Sequence, residues 1–144
     1  CGNGSRASCC CLRTDYELSR FQLHPETIQI LEVLRDATAV RPDLVFMASP
    51  WSPPRWMKVG GNLSGVDDSN TLVDSNHTYR AYARYLKKFV DACEERGVAL
   101  RYITLQNEPM WGRTAYPGMY LSAEQAARLG AIVKGVMGDA PELQ

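Results

Sequence analysis

The stretch "RYITLQNEPMW", Arg101 to Trp111, begins as a short apolar strand over Tyr102 to Leu105 and runs straight into Gln106-Asn107-Glu108-Pro109. Proline has no N–H to give to a sheet ladder, so the strand ends there. A carboxylate and an amide are thus set side by side at the mouth of an apolar strand. Upstream, "RPDLVFMASP" carries a continuous apolar run, Leu44 to Ala48, between Pro42 and Pro50. Such a run reads as a strand buried on both faces, as in a parallel sheet. It too leads directly into a polar and aromatic segment, "SPWSPPRWMK", Ser49 to Lys58.

Helical patterns alternate with these strands. "HPETIQILEVLRDATAV" has Pro25 at a first helical position and Ile28, Leu31 and Leu34 on one face. "TYRAYARYLKKFVDACEERG" aligns Tyr79, Tyr82, Ala83, Leu86, Phe89, Val90 and Cys93, with Gly97 as its stop. Ser122 to Gln125 reads as a capping box opening a helix with Ala126, Leu129, Ile132 and Val136 inside. Between the first strand and the second helix runs a connection rich in Gly, Ser, Asn and Asp, from Trp51 to about Asn76. It is too long for an ordinary link and reads as a functional or mobile loop.

Helix, strand, helix, strand, helix is the alternation of an α/β fold with a parallel sheet. Both a (β/α)8 barrel and a doubly wound sheet bring the segments after the strands to one edge. No glycine-rich phosphate loop follows either strand, because "VGGN" at Val59 to Asn62 neither follows a strand nor opens a helix. The expected fold is therefore a partial (β/α)8 barrel, about strands 3 and 4 with their flanking helices.

The bulk numbers fit one domain. The chain has 144 residues, 45% hydrophobic and 22% charged, with 16 basic and 16 acidic side chains. No basic stripe points to nucleic acid, and no apolar run approaches the roughly 20 residues of a membrane span. Cys9, Cys10 and Cys11 are adjacent, which is not zinc-ligand spacing. Cys93 reads as a core residue. His24 and His77 read as helix-start residues, and no Ser or Cys has the setting of a hydrolytic triad. Three sequons, at Asn3, Asn62 and Asn76, are compatible with a secreted or lysosomal protein. The first residue is Cys, and "GDAPELQ" ends the chain without a closing element, so a piece of a longer chain is expected.

Three clusters can carry chemistry. Glu108 has the setting of a general acid/base raised by partial burial, with Asn107 beside it to hold a hydroxyl; it can also be a loop glutamate capping the next turn. Trp51 stands directly behind a strand end among prolines, and its flat indole suits the apolar face of a sugar ring. Trp56 reads as a plug of the rim. In "MWGRTAYPGM", Trp111 and Tyr116 can line a sugar subsite or merely cover the fold.

"ASPWSPPRWMK", "ITLQNEP" and "YPGM", in that order and spacing, resemble glycoside hydrolase family 30, the group that includes the glucosylceramidases. "LSRFQLHPE" and "GGNLSG" extend the likeness, which runs from about Leu18 to about Gly138. It implies a (β/α)8 barrel with an attached β-sandwich, a retaining mechanism and no metal or organic cofactor. It also implies Glu108 as acid/base, Asn107 on the sugar 2-hydroxyl, and Trp51 in the first subsite. Tyr116 joins them as a substrate-binding candidate.

Residues 1–14 form an unmatched Cys-rich segment ahead of a partial glycoside hydrolase domain over 15–144, and Asp15 receives no sugar-binding role. The second carboxylate of a retaining pair is expected downstream of this chain, about 5–5.5 Å from the first. The chain alone is therefore expected to be inactive. β-Glucosides, including glucosylceramide, are the expected substrates, with "YPGM" and "GGNLSG" tilting toward the glucosylceramidases. A xylan- or β-1,6-glucan-specific relative and a non-catalytic carbohydrate-binding product are the alternatives.

Overall fold

In a computed structural model, residues 14–65, 69–111, 115–138 and 142–143 are described. The elements run α1 (Pro25–Val40), β1 (Phe46–Ala48), a 3-10 turn (Arg55–Met57), α2 (Asn76–Glu94), β2 (Leu100–Ile103), α3 (Ala123–Met137) and β3 (Glu142–Leu143). The strands form one parallel sheet in the order β1-β2-β3. Both polar segments therefore leave the sheet at the same edge.

The helix boundaries follow local chemistry. His24 caps α1, its Nδ1 accepting from the Glu26 N–H, and Pro25 starts the helix. Ser75 caps α2, accepting from the Thr78 N–H. Ser122 and Gln125 form the expected reciprocal box at α3, which satisfies two otherwise orphaned donors. Gly97, at φ +80°, follows the end of α2 in the left-handed region that other residues resist.

The core is a wedge between two helices and the sheet. Tyr79, Tyr82, Ala83 and Leu86 of α2 meet Leu129, Val133 and Met137 of α3 over Ile103 of β2. Fully burying such a side chain contributes about 1.5–3 kcal/mol, against about 1 kcal/mol for a typical hydrogen bond. The wedge thus sets the frame, and the loops are adjusted on it. Cys93 is fully buried as expected, with its thiol pushed up to about 11 by burial.

Three expectations change. The strand read over Leu44 to Ala48 is only Phe46–Ala48, and it is not covered on both faces: Met47 is 61% exposed and Val45 is exposed too. In the order β1-β2-β3 it is an edge strand, so its apolar run marks a surface awaiting cover. A third strand, Glu142–Leu143, lies in the segment read as having no closing element; it pairs with Tyr102 and Ile103. Phe89 is only partly buried, whereas Ala81, not placed on the stripe, is fully buried. Among the described residues, no helix is long and apolar enough to cross a membrane. Asn62 and Asn76 are exposed; the Asn3 sequon and Cys9, Cys10 and Cys11 lie outside the described residues.

Candidate active site

Parallel pairing dictates which side chains meet at the sheet edge. Ala48 and Ile103 are register partners. The next residues, Ser49 and Thr104, therefore face each other, and their hydroxyl oxygens lie 2.6 Å apart. The Thr104 N–H donates to the Ala48 carbonyl at 3.0 Å, extending the ladder one step. Beyond it the Asn107 N–H donates to the Pro50 carbonyl at 2.8 Å. The side-chain amide of Gln106 donates to the carbonyls of Trp51, at 2.6 Å, and Asn107, at 3.0 Å. The two strand ends are thus tied by Thr104, Gln106 and Asn107 on one side to Ala48, Ser49, Pro50 and Trp51 on the other.

Glu108 sits at the apex of this joint with φ +46°, in the left-handed region. For a residue with a long side chain that conformation costs of order 1–2 kcal/mol. It is held from both flanks. The Trp111 N–H closes a turn on the Glu108 carbonyl at 2.8 Å, and the Leu121 N–H donates to the Pro109 carbonyl at 2.7 Å. The carboxylate is exposed. The partial burial expected for it is not provided by the described residues, because Pro109, Met110 and Trp111 beside it are exposed as well.

Trp51 and Tyr116 come together. Their ring centroids are 5.5 Å apart at 57°, and the rings are 51% and 44% exposed. An exposed aromatic pair in contact is a surface on which a flat apolar face can rest. Trp56, read as a plug of the rim, is partly buried and meets Tyr16 edge to face at 5.1 Å. Trp111 projects from the turn, 63% exposed. His24 and His77 lie at helix starts, as expected. Asp15 has a local task, its carboxylate accepting from the Ser19 N–H and hydroxyl and from the Arg20 N–H. The Arg20 N–H bond, helped by the Ser19 bonds and the Arg20 charge and opposed by desolvation, holds it below the usual carboxylate range.

Two residues of the site were not singled out from sequence. Gln106 is 6% exposed and forms the joint just described. Lys58 is 3% exposed, and its ammonium donates to Ser52 Oγ at 3.0 Å, the Leu63 carbonyl at 2.6 Å and the Gly118 carbonyl at 2.8 Å. Burial lowers it to about 8. Nothing in the pattern of "RWMKVGG" marks a lysine as buried; its loop partners come from 6, 5 and 60 residues away. An apolar hollow lies under the strand ends, between Ala48, Ile103 and the α2 side chains Tyr85, Leu86 and Phe89. Neither Glu108 nor Asn107 lines it.

Comparison with known proteins places the chain in a family. The glycosyl hydrolase family 30 TIM-barrel domain matches residues 8–127. An endo-1,6-β-D-glucanase of Neurospora crassa is 35% identical over 118 residues, which are 81% of this chain and 24% of that protein. The lysosomal acid glucosylceramidase of Mus musculus is 33% identical over 107 residues, 72% of this chain and 20% of that protein. Among solved structures, an endo-β1,6-glucanase superposes with a TM-score of 0.70 at 29% identity, covering 93% of this chain and 30% of its own. The chain thus spans about a quarter of the length of the curated relatives it matches. By the extent of the domain match and by these relatives, the chain belongs to glycosyl hydrolase family 30.

Proposed function

We propose that this segment supplies the acid/base half of a retaining β-glycosidase site. Glu108 protonates the departing glycosidic oxygen and, once ionised, takes a proton from the water that releases the sugar. Asn107 binds the hydroxyl next to the reacting carbon, and the Trp51–Tyr116 pair supports the sugar ring. The observation that carries this reading is the joint between the strand ends, which ties the Asn107 N–H, next to Glu108, to the Pro50 carbonyl and the Gln106 side chain to the Trp51 carbonyl. Stiff positioning of a proton donor next to a sugar-binding wall is what the chemistry requires. Because Glu108 is exposed, the desolvation that suits a general acid has to come from substrate and from elements closing over the loops.

The nucleophilic carboxylate is assigned to a strand end outside the described residues. Glu26, Glu32, Glu94 and Glu124 lie on helices, Glu95 caps one, Glu17 lies in a turn before α1, and Glu142 opens β3 opposite Tyr102, away from the strand's carboxyl end. The exposed Val45 and Met47 edge of β1 is read as the face covered by a neighbouring strand–helix unit of a (β/α)8 barrel, with β1 and β2 as about its strands 3 and 4.

For substrate, the reading favoured is a β-1,6-linked glucan, supported by the wider cover of the Neurospora crassa relative and the TM-score of 0.70. The second reading is a glucosylceramide-like β-glucoside, supported by the mouse relative at 33% identity. Relatives of both kinds match at similar identity, 35% and 33%. The test is hydrolysis of each substrate by the whole protein and its Glu108→Gln variant. Loss of about 10²–10⁴-fold on unactivated glycosides is expected. Much less should be lost on aryl glucosides, whose phenolate leaves without a proton. Equal activity of the variant on both would refute the role of Glu108. Sugar binding without turnover by the parent would favour a carbohydrate-binding protein.

A further inference from the structure

Among the described residues, the Lys58 ammonium is buried among oxygen atoms with no carboxylate among its partners. Its three acceptors belong to two loops: Ser52, next to Trp51, and Leu63 lie in the long connection, and Gly118 lies two residues after Tyr116 in the loop between β2 and α3. The Leu63 carbonyl also accepts from the Gly118 N–H at 3.2 Å, so two loops share one acceptor. The side chain is anchored from behind by its own backbone. Lys58 bridges Leu72, the Val73 N–H donates to the Met57 carbonyl and the Val59 N–H to the Thr71 carbonyl, both at 2.9 Å. An uncompensated buried cation is costly, and an apolar residue of similar length fills the same space without that cost. What only a cation with three donors can do here is hold three oxygen atoms at one point.

We propose that Lys58 is a positioning residue for the Trp51–Tyr116 wall, its ammonium fixing the loops that carry the two rings. The proposal deepens the sugar-binding reading and rests on it for its consequence in catalysis, but the ordering of the wall is measurable without any activity. A charged ammonium gives three donors to three acceptors, whereas a neutral amine gives two. The wall should therefore loosen as Lys58 loses its proton. Among described residues of these loops, the other titratable side chains are Arg55, Asp74, Glu108, Tyr116 and Tyr120. None of them is a hydrogen-bond partner of the Lys58 ammonium, and Asp74 is held by Tyr79 and Arg128.

The experiment is ¹⁹F NMR of the whole protein labelled with 5-fluorotryptophan, with the Trp51 line identified by its absence in Trp51→Phe. The Trp51 line should be shifted from the free-indole position and move toward it with a midpoint near pH 8. In Lys58→Met it should start near that position and stay there between pH 6.5 and 9, while far-UV circular dichroism is unchanged. In Ser52→Ala the displacement should be partial. In turnover, Lys58→Met should raise KM about tenfold and change kcat by less than about threefold, since the wall binds sugar and does not react. If Lys58→Met fails to fold, the pH titration of the parent and the Ser52→Ala spectrum decide. A Trp51 line that is flat from pH 6.5 to 9, or unmoved by Ser52→Ala or Lys58→Met, overturns the proposal. An inactive parent with the expected Trp51 behaviour would instead remove the glycosidase reading and leave the clamp.

Discussion

The side-chain amide of Gln106 donates to the main-chain carbonyl of Trp51 at 2.6 Å, tying the loop of the candidate acid/base to the loop of the candidate sugar wall. The same nitrogen reaches the Asn107 carbonyl at 3.0 Å, while its Oε1 is buried and accepts nothing from the described residues. Replacing the amide with a hydrocarbon leaves two carbonyls without that donor but removes the orphaned oxygen. Gln106→Leu should cost about 1–3 kcal/mol in urea unfolding of the whole protein. Gln106→Glu should cost more near neutral pH, because a carboxylate oxygen would replace the donor opposite two carbonyls. A Glu variant as stable as the Leu variant would show that the joint tolerates an acceptor and that the amide is not its basis.

Glu108 illustrates a site at odds with its backbone. At φ +46° a long side chain is strained, whereas Asn enters the left-handed region more readily. Glu108→Asn should raise stability by about 0.5–1 kcal/mol and abolish turnover of unactivated β-glycosides. Thermal unfolding and an oligosaccharide assay on the same preparation check both. Loss of activity with loss of stability would mean that the carboxylate also supports the turn.

Sequence carried the frame of this fold and set its candidate residues at one edge of the sheet. Ser122 and Gln125 announce their capping box because both partners lie within one helical turn, and Gly97 announces a left-handed stop for the same local reason. Glu108, Asn107 and Trp51 were legible as candidates because strand ends in a parallel sheet share an edge, and Tyr116 as an aromatic of the loop that follows. The burial of Lys58 was not legible, because two of its three acceptors are backbone carbonyls, which no residue type encodes. The length of β1 was misjudged for a related reason. An apolar run says what a strand wants to bury, but Val45 and Met47 remain exposed where no described element covers them.

The buried Lys58 also makes a prediction about stability with a sign opposite to its effect on the wall. Burial lowers its value from 10.5 to about 8 in the folded chain. Between those two pH values the unfolded chain holds a proton that the folded chain has released. Stability therefore rises with pH across that window, relative to a variant without the group. The difference in unfolding free energy between parent and Lys58→Met should shift in favour of the parent from pH 7.5 to 9.5. A difference constant over that range would mean that Lys58 stays charged throughout, and the ammonium would then be stabilised by more than its three oxygen partners.

Trp51 and Tyr116 should act as a unit. Their centroids are 5.5 Å apart, within the range in which aromatic pairs add about 0.5–1.5 kcal/mol beyond the area they bury. Trp51→Ala should weaken oligosaccharide binding by the whole protein about tenfold, by removing one stacking face and the support of the other. Tyr116→Ala alone should weaken it less, because the indole stands directly behind the strand end and its carbonyl is held by Gln106. In a double-mutant cycle the losses should fall short of additive by about 0.5–1.5 kcal/mol. Isothermal titration with a non-hydrolysed oligosaccharide provides the four affinities. Strict additivity would mean that each ring contacts sugar independently, and fixing their mutual geometry would then add nothing to binding.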